Sequence, residues 1–95
     1  MDQNEININI INYLRPYHPE RIGIFGSFAR REQTPESDID ILVKFHKTIS
    51  LLDLARIQRE LSQILGRKID LVTESSVKNE RLKSYIYKDL KVIFE

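Results

Sequence analysis

Two aspartates lie one residue apart, directly before an apolar run. Asp38 and Asp40 precede residues 41–43, Ile-Leu-Val, which is a composition typical of an inner strand. Successive side chains of a strand point to opposite faces, so these two carboxyl groups share one face, with roughly 6–7 Å between their Cα atoms. A third aspartate, Asp70, lies inside a second short apolar segment. If the two strands are neighbours in one sheet, the three carboxylates converge on one patch.

Carboxylates that converge on one patch repel each other, and they are costly to bury unless a cation lies among them. The sequence contains no cysteine, and neither of its histidines, His18 and His46, belongs to these segments. A donor set made only of carboxylate oxygens favours a hard divalent cation, Mg²⁺ or Mn²⁺. Taken alone, Asp38 and Asp40 fit a solvated strand start equally well, so the prediction of a site depends on what accompanies them.

A glycine turn precedes the aspartates. Gly26 and Ser27 end the short β-type segment RIGIFGS and stand where a helix can begin. Glycine lets the backbone approach a ligand closely, and the N–H groups at the start of a helix suit a phosphate. The Ser27 hydroxyl adds one further hydrogen-bond donor. A phosphate cradle beside divalent-metal ligands describes a site for a metal-chelated nucleoside triphosphate.

The elements that position these residues alternate along the chain. Periodicity predicts the order α-β-α-β-α-β-α-β, with a very short second helix. We predict an α+β fold of α/β-like character, in which a mixed β-sheet is flanked by helices. The long helix between DIDILVKF and KIDLVT suits a right-handed crossover, so these two strands are expected to be parallel. The predicted segments are NEININIINYL, RIGIFGS, FARREQ, DIDILVKF, SLLDLARIQRELSQILG, KIDLVT, VKNERLKSYIYKDL and KVIFE, with TPES as a loop.

The first segment has two competing periodicities. Isoleucine alternates with asparagine over residues 6–10, as in a strand. The apolar residues also fall on one helical face, which consists of Ile6, Ile10, Tyr13 and Leu14. We predict a helix with Asn4 as its N-cap, and the strand stays the alternative.

Two later helices have clearer apolar faces. The helix over residues 50–66 is expected to begin at a Ser50 cap and to end at Gly66. Its predicted apolar stripe consists of Leu51, Leu54, Ala55, Ile57, Leu61, Ile64 and Leu65. In the last helix, the residues predicted to face inward are Leu82, Tyr85, Ile86 and Leu90.

Size and composition define the class of protein. A length of 95 residues predicts a single domain over residues 1–95. Charged residues make up 31% of the sequence and hydrophobic residues 41%, a balance that is normal for a soluble globular protein. The net charge of +1 is too close to neutral for a general nucleic-acid binder, so no direct nucleic-acid partner is expected. Neither a signal peptide nor an apolar run of about 20 residues is present. A cytoplasmic protein without membrane association is therefore expected.

The spacing of the motif carries a family resemblance. Gly26-Ser27, ten residues and then Asp38-Ile39-Asp40 resembles the signature of the DNA polymerase β nucleotidyltransferase superfamily. The form GSFARRE…SDIDILV in a short chain resembles its minimal branch, the MNT-domain antitoxins that act beside HEPN-domain toxins. A lone D-x-D is a weak signal, but the full set with the Asp70 strand is strong. The resemblance covers nearly the whole chain, implies the nucleotidyltransferase (polymerase β-like) fold, and favours the helix for the first segment.

The resemblance implies a role for each matching acidic residue. Asp38 and Asp40 would bind two Mg²⁺ ions, with Mn²⁺ as a substitute. Asp70 would bind one of the two ions and would act as the base for the attacking hydroxyl. All three are therefore candidate catalytic residues and candidate metal ligands.

The resemblance implies that Gly26 and Ser27 bind the triphosphate, and Arg30 is a further candidate nucleotide-binding residue. The family commonly has a glycine where this chain has Arg31. If that position requires a positive φ, arginine costs roughly 1–2 kcal/mol there. We therefore expect either that the turn after Arg30 has a different shape or that the helix continues through it.

The implied reaction is nucleotidyl transfer. A hydroxyl attacks the α-phosphate of ATP and pyrophosphate leaves, assisted by two metal ions about 3.5–4 Å apart. In MNT antitoxins the acceptor is typically a tyrosine hydroxyl of the partner toxin. The expected function is thus that of an antitoxin that adenylylates a HEPN toxin, with ATP as substrate and in a hetero-oligomer with the toxin.

Two alternative functions stay open. The first is a non-catalytic antitoxin that neutralises the toxin by contact alone, although binding alone gives no reason for three converging acids. The second is nucleotidyl transfer to a small molecule or to RNA. Larger relatives that do this carry an additional helical domain, for which these 95 residues leave no room. A protein acceptor is therefore expected.

Overall fold

The computed structural model describes residues 2–30 and 37–95. The predicted loop TPES, the end of the segment FARREQ and the expectation for Arg31 lie outside these residues. Ser27 is described only as part of its helix, without its side chain.

Four strands form one mixed sheet in the order β3-β2-β1-β4. The strands are β1 (Pro19–Phe25), β2 (Ile39–Phe45), β3 (Ile69–Thr73) and β4 (Lys91–Phe94). Strand β1 is antiparallel to both β2 and β4, whereas β2 and β3 are parallel. The predicted α+β class and the parallel pair are both confirmed.

Four α-helices flank this sheet in the part of the chain that is described. They are α1 (Gln3–Leu14), α2 (Gly26–Ala29), α3 (Leu51–Leu65) and α4 (Glu80–Asp89). Single 3₁₀ turns occur at Arg15–Tyr17 and Glu74–Ser76. The second helix is very short, as predicted.

The first segment is a helix, so the strand alternative is wrong. Ile6, Ile10 and Leu14 are buried at spacings of one turn, while Ile8 is exposed. The predicted cap is wrong: Asp2, not Asn4, is the N-cap, and its side chain accepts a hydrogen bond from the Glu5 N–H at 2.8 Å. The helix starts earlier than expected because an aspartate carboxylate is available two residues before Asn4.

Helices α1 and α3 cover one face of the sheet with the larger core. This core contains Ile6, Ile10, Leu14, Ile22, Ile24, Ile39, Ile41, Val43, Ile57, Leu61, Leu65 and Ile69. The caps predicted for α3 are confirmed, since Ser50 accepts from the Asp53 N–H at 3.1 Å and Gly66 ends the helix at a φ of 65°.

The apolar stripe predicted for α3 is too wide. Leu51 is 84% exposed, and Ala55 and Ile64 are also exposed, so these three predictions are wrong; Leu54 is only partly buried. The helix contacts the sheet along one line of residues four apart, Ile57, Leu61 and Leu65. At 100° per residue, Ala55 lies about 160° from Ile57 around the helix axis and turns away from the sheet.

Helix α4 covers the other face with a smaller core of Phe25, Leu42, Val77 and Ile86. The inward prediction is confirmed for Ile86, and Leu90 is partly buried against this core. It is wrong for Leu82 and Tyr85, which are 45% and 51% exposed. Leu82 lies one turn before Ile86 on the same side of the helix, so α4 extends beyond the packed part of the sheet.

Along residues 2–30 and 37–95, no helix has both the length and the apolar character that crossing a bilayer requires.

Candidate active site

Strand register brings two of the three predicted acids together. Asp40 of β2 is the direct neighbour of Asp70 of β3 in the parallel pair. Both project from the sheet face that carries Leu42, because residues two apart on a strand share a face. Helix α3 connects the two parallel strands, and the predicted convergence of these two carboxyl groups is confirmed.

Asp40 is the acid whose ionisation the fold disfavours most clearly. Burial raises its pKa first, and the charge of Asp70, the hydrogen bond to Asp70 and the charge of Asp38 raise it further. The Arg30 guanidinium acts in the opposite direction, and the net result is a pKa raised from 3.8 to about 6. At neutral pH the ionised Asp40 is therefore held against electrostatic repulsion that a bound cation would relieve.

Asp38 lies just before β2 and is less tightly associated with the pair. Its charge reaches Asp40, but its carboxylate also lies 3.8 Å from the Lys68 ammonium at the solvent surface. Within the described ranges, no three acidic or histidine side chains are already arranged as a metal-binding group. The oxygen-only donor set and the repulsion at Asp40 nevertheless fit Mg²⁺ or Mn²⁺. Binding such an ion with all three acids requires the Asp38 side chain to turn towards the pair.

Gly26 places the predicted phosphate-binding turn directly against Asp40. Its φ is 75°, in the left-handed region that favours glycine, and a Cβ atom built on it would overlap the Asp40 carboxylate. Glycine is therefore required both by the backbone conformation and by the close approach. Ser27 follows as the second residue of α2, so the structure brings the turn and the acids together as predicted.

Arg30 links α2 to the end of α4. Its Nη1 donates to Oδ2 of Asp89 at 2.8 Å, and its charge acts on Asp40. Sequence reasoning missed Asp89, which lies far from the motif in the chain. The available signal was weak: an acid in the last turn of a helix is disfavoured by the helix dipole, which suggests a compensating cation nearby.

The exposed residues of α4 stand beside this site. The Tyr85 ring packs edge-on against Phe25, with ring centroids 6.5 Å apart and an interplanar angle of 87°. Phe25 in turn is the neighbour of Asp40 across β1 and β2. The half-exposed ring of Tyr85 therefore lies at the edge of the smaller core, against the residue that neighbours Asp40.

The raised pKa of Asp40 predicts how stability depends on pH. A carboxyl group with a raised folded-state pKa binds its proton more tightly in the folded chain, so it stabilises the fold below pH 4 and this contribution disappears as pH rises through 6. The test compares Asp40→Asn with the wild type in metal-free buffer. The difference in their free energies of unfolding, variant minus wild type, should rise by about 1–2 kcal/mol between pH 4 and pH 7. Urea unfolding followed by circular dichroism measures it. A difference that stays constant with pH would contradict the assignment.

Known proteins are similar to this chain in sequence and in fold. The family described as "Polymerase beta, Nucleotidyltransferase" matches residues 8–95. A Methanocaldococcus jannaschii protein, provisionally named a protein adenylyltransferase, is 48% identical over 77 residues, which are 81% of this chain and 83% of that protein. A solved toxin–antitoxin structure with AMP-PNP matches with a TM-score of 0.84 and 27% identity, over 93% of this chain and 72% of that one.

A further solved structure shows the same fold at lower identity. A complex of a tri-AMPylated Shewanella oneidensis HEPN toxin with an MNT antitoxin matches with a TM-score of 0.80 and 24% identity, over 98% of this chain and 72% of that one. Together these likenesses confirm the fold that the motif implies.

Proposed function

Because this chain belongs to the polymerase beta nucleotidyltransferase family and is a nucleotidyltransferase, we propose that it is an antitoxin that transfers AMP from ATP to a tyrosine hydroxyl of a partner HEPN-domain toxin. The observation that carries the proposal is the Asp40–Asp70 carboxylate pair directly under the Gly26 turn. This juxtaposition brings metal-ligand chemistry and phosphate-binding chemistry to one place.

The comparisons support the chemical class of donor, acceptor and partner. The M. jannaschii relative is named for adenylyl transfer to protein. The solved toxin–antitoxin structure is described as one with AMP-PNP, an analogue of ATP. The HEPN class of the toxin and the tyrosine acceptor come from the resemblance of the Gly26-Ser27 and Asp38-Ile39-Asp40 motif to MNT antitoxins. We accordingly expect a hetero-oligomer with the toxin.

The residues of the site have separate tasks in this reaction. Asp38, Asp40 and Asp70 would hold two Mg²⁺ ions, which neutralise the charge that develops on the phosphates. The Gly26 turn and Ser27 would bind the triphosphate next to Asp40, and Arg30 would add a positive charge on the same side. The tyrosine oxygen forms a bond to the α-phosphorus, the bond to the β-phosphate oxygen breaks, and Asp70 takes the tyrosine proton as pyrophosphate leaves.

The experiment that tests the proposal uses the protein together with the HEPN-domain protein of its own toxin–antitoxin pair. Incubation with ATP and Mg²⁺ should add one or more AMP groups to the toxin, visible as mass increments in intact-protein mass spectrometry, and peptide mapping should place them on tyrosine. EDTA should abolish the increments. A toxin that keeps its mass while the antitoxin still protects cells would instead support neutralisation by contact alone.

A further inference from the structure

The two tyrosines of α4 point to opposite ends of the sheet. They are two residues apart, so their side chains lie about 160° apart around the helix axis. The Tyr87 hydroxyl donates to the Glu74 carboxylate at 2.8 Å, and Glu74 in turn binds Arg21 near the start of β1. The Tyr85 ring instead lies against Phe25, at the end of β1. Tyr85 therefore belongs to the flank of α4 that faces this end of the strand.

The end of β1 is also where the candidate active site begins. Phe25 is the register partner of Asp40, and the Cα atoms of such partners in an antiparallel pair are about 4.5–5.5 Å apart. Phe25 also directly precedes Gly26, whose added Cβ would overlap the Asp40 carboxylate. The ring centroids of Phe25 and Tyr85 are 6.5 Å apart. The Tyr85 ring thus contacts the residue that lies beside both the carboxylate and the glycine turn.

This flank of α4 presents a small apolar surface. Tyr85 is half-exposed, and so is Leu82, which lies one turn earlier on the same flank. The planes of the Tyr85 and Phe25 rings are 87° apart, and such an edge-to-face contact holds the Tyr85 ring without covering both of its faces. A standard protein interface covers about 800 Å² on each partner, far more than two side chains provide. The surface therefore suits one planar ring better than a protein.

We propose that Tyr85, with Leu82 beside it, is the platform on which the base of the nucleotide stacks. The proposal rests on the proposed function for the identity of the nucleotide. The phosphates and their metal ions need polar groups, which the Gly26 turn and the Asp40 carboxylate provide. The base lies one ribose away from the α-phosphate and needs an apolar plane, which the adjoining flank of α4 provides. Every base has a π-face, so stacking adds affinity without hydrogen bonds that read the base.

Calorimetric titration of the full chain with two probes, AMP-PNP and inorganic tripolyphosphate, each with Mg²⁺, tests this. Both probes carry a chain of three phosphate groups, and only AMP-PNP carries a nucleoside. Tyr85→Ala should raise the Kd for AMP-PNP about 5- to 20-fold and leave the Kd for tripolyphosphate unchanged. Tyr85→Phe keeps the ring and should bind AMP-PNP as the wild type does.

Tyr87→Ala is the matched control, because it removes a similarly exposed tyrosine from the opposite flank of the same helix. It should bind both probes as the wild type does. Circular dichroism shows whether each variant is folded. If Tyr85→Ala fails to fold, Tyr85→Leu replaces it, because leucine covers Phe25 with an apolar side chain that has no π-face. That variant should lose affinity for AMP-PNP but not for tripolyphosphate.

Three outcomes would overturn the proposal. The first is an equal loss for both probes, because Tyr85 would then support the phosphate site or the fold. The second is an unchanged AMP-PNP affinity in Tyr85→Ala; if AMP transfer to the toxin were slower at the same time, Tyr85 would instead contact the toxin. The third is a wild type that binds tripolyphosphate as tightly as AMP-PNP.

Failure of the proposed function has a different signature from failure of the stacking platform. It would appear as AMP-PNP binding that depends on Tyr85, without AMP on the toxin. Where transfer occurs, Tyr85→Ala should raise the KM for ATP and leave kcat nearly unchanged, whereas a general loss of structure would lower both the active fraction and kcat.

Discussion

Asp40→Asn is expected to lower the rate of AMP transfer to the toxin by at least about 10³-fold. Asp40 is the direct neighbour of Asp70 in the parallel strand pair, and the charge of Asp38 also raises its pKa. An asparagine keeps the shape but removes the charge, so under the proposed function the metal ions would lose one carboxylate ligand. Metal ions at such a site would supply several kcal/mol of transition-state charge stabilisation, and each 1.36 kcal/mol is a tenfold change in rate. Single-turnover transfer followed by mass spectrometry measures the effect.

The stability of the same variant separates lost chemistry from lost structure. The folded protein holds the ionised Asp40 against repulsion, so Asp40→Asn should be at least as stable as the wild type at pH 7. This result would agree with the general rule that functional sites are built at the expense of stability. Asp53→Asn, an acid in an exposed ion pair on α3, should transfer AMP at the wild-type rate. A stable Asp40→Asn variant that retains a tenth or more of the wild-type rate would refute the catalytic assignment.

The carboxylate site was predictable because its chemistry follows local rules. Strand alternation alone places Asp38 and Asp40 on one face, and the handedness of a β-α-β crossover places the strand of Asp70 beside theirs. The register that makes Asp40 and Asp70 direct neighbours follows from packing of α3 on the sheet, which no local pattern specifies. The sequence therefore predicts which residues converge, and the structure adds how close each of them lies to the others.

Contacts between elements that are distant in sequence could not be predicted either, because they also depend on packing that no local pattern specifies. The bond of Arg30 to Asp89 joins two helix ends, and it depends on where the last helix lies on the sheet. The exposure of Leu82 and Tyr85 has a related cause. Apolar periodicity identifies the helix correctly, but it cannot show where the sheet beneath the helix stops and the open carboxylate face begins.

Gly26→Ala is expected to lower the rate of AMP transfer by about 10²-fold and to destabilise the fold by about 1–2 kcal/mol. The stability cost follows from the φ of 75°, which an L-residue with a Cβ adopts unfavourably. The loss of activity has a separate cause, because the added methyl group would displace the Asp40 carboxylate that it overlaps. A displacement of about 1 Å at a catalytic group typically costs about 10²-fold in rate. Transfer assays and urea unfolding of the same preparation measure the two effects.

Gly66→Ala is the control that separates strain from displacement. Gly66 has nearly the same backbone conformation, with a φ of 65°, but an added Cβ would meet no atom within 4 Å. It should therefore lose a similar free energy of unfolding, about 1–2 kcal/mol, and transfer AMP at the wild-type rate. Equal activity of the two folded variants would show that contact with Asp40 is not what requires a glycine at position 26. A loss of activity confined to Gly26→Ala would instead establish that the turn and the carboxylate act as one site. The two glycines differ chiefly in the atoms that an added Cβ would meet: the Asp40 carboxylate at Gly26 and no atom within 4 Å at Gly66.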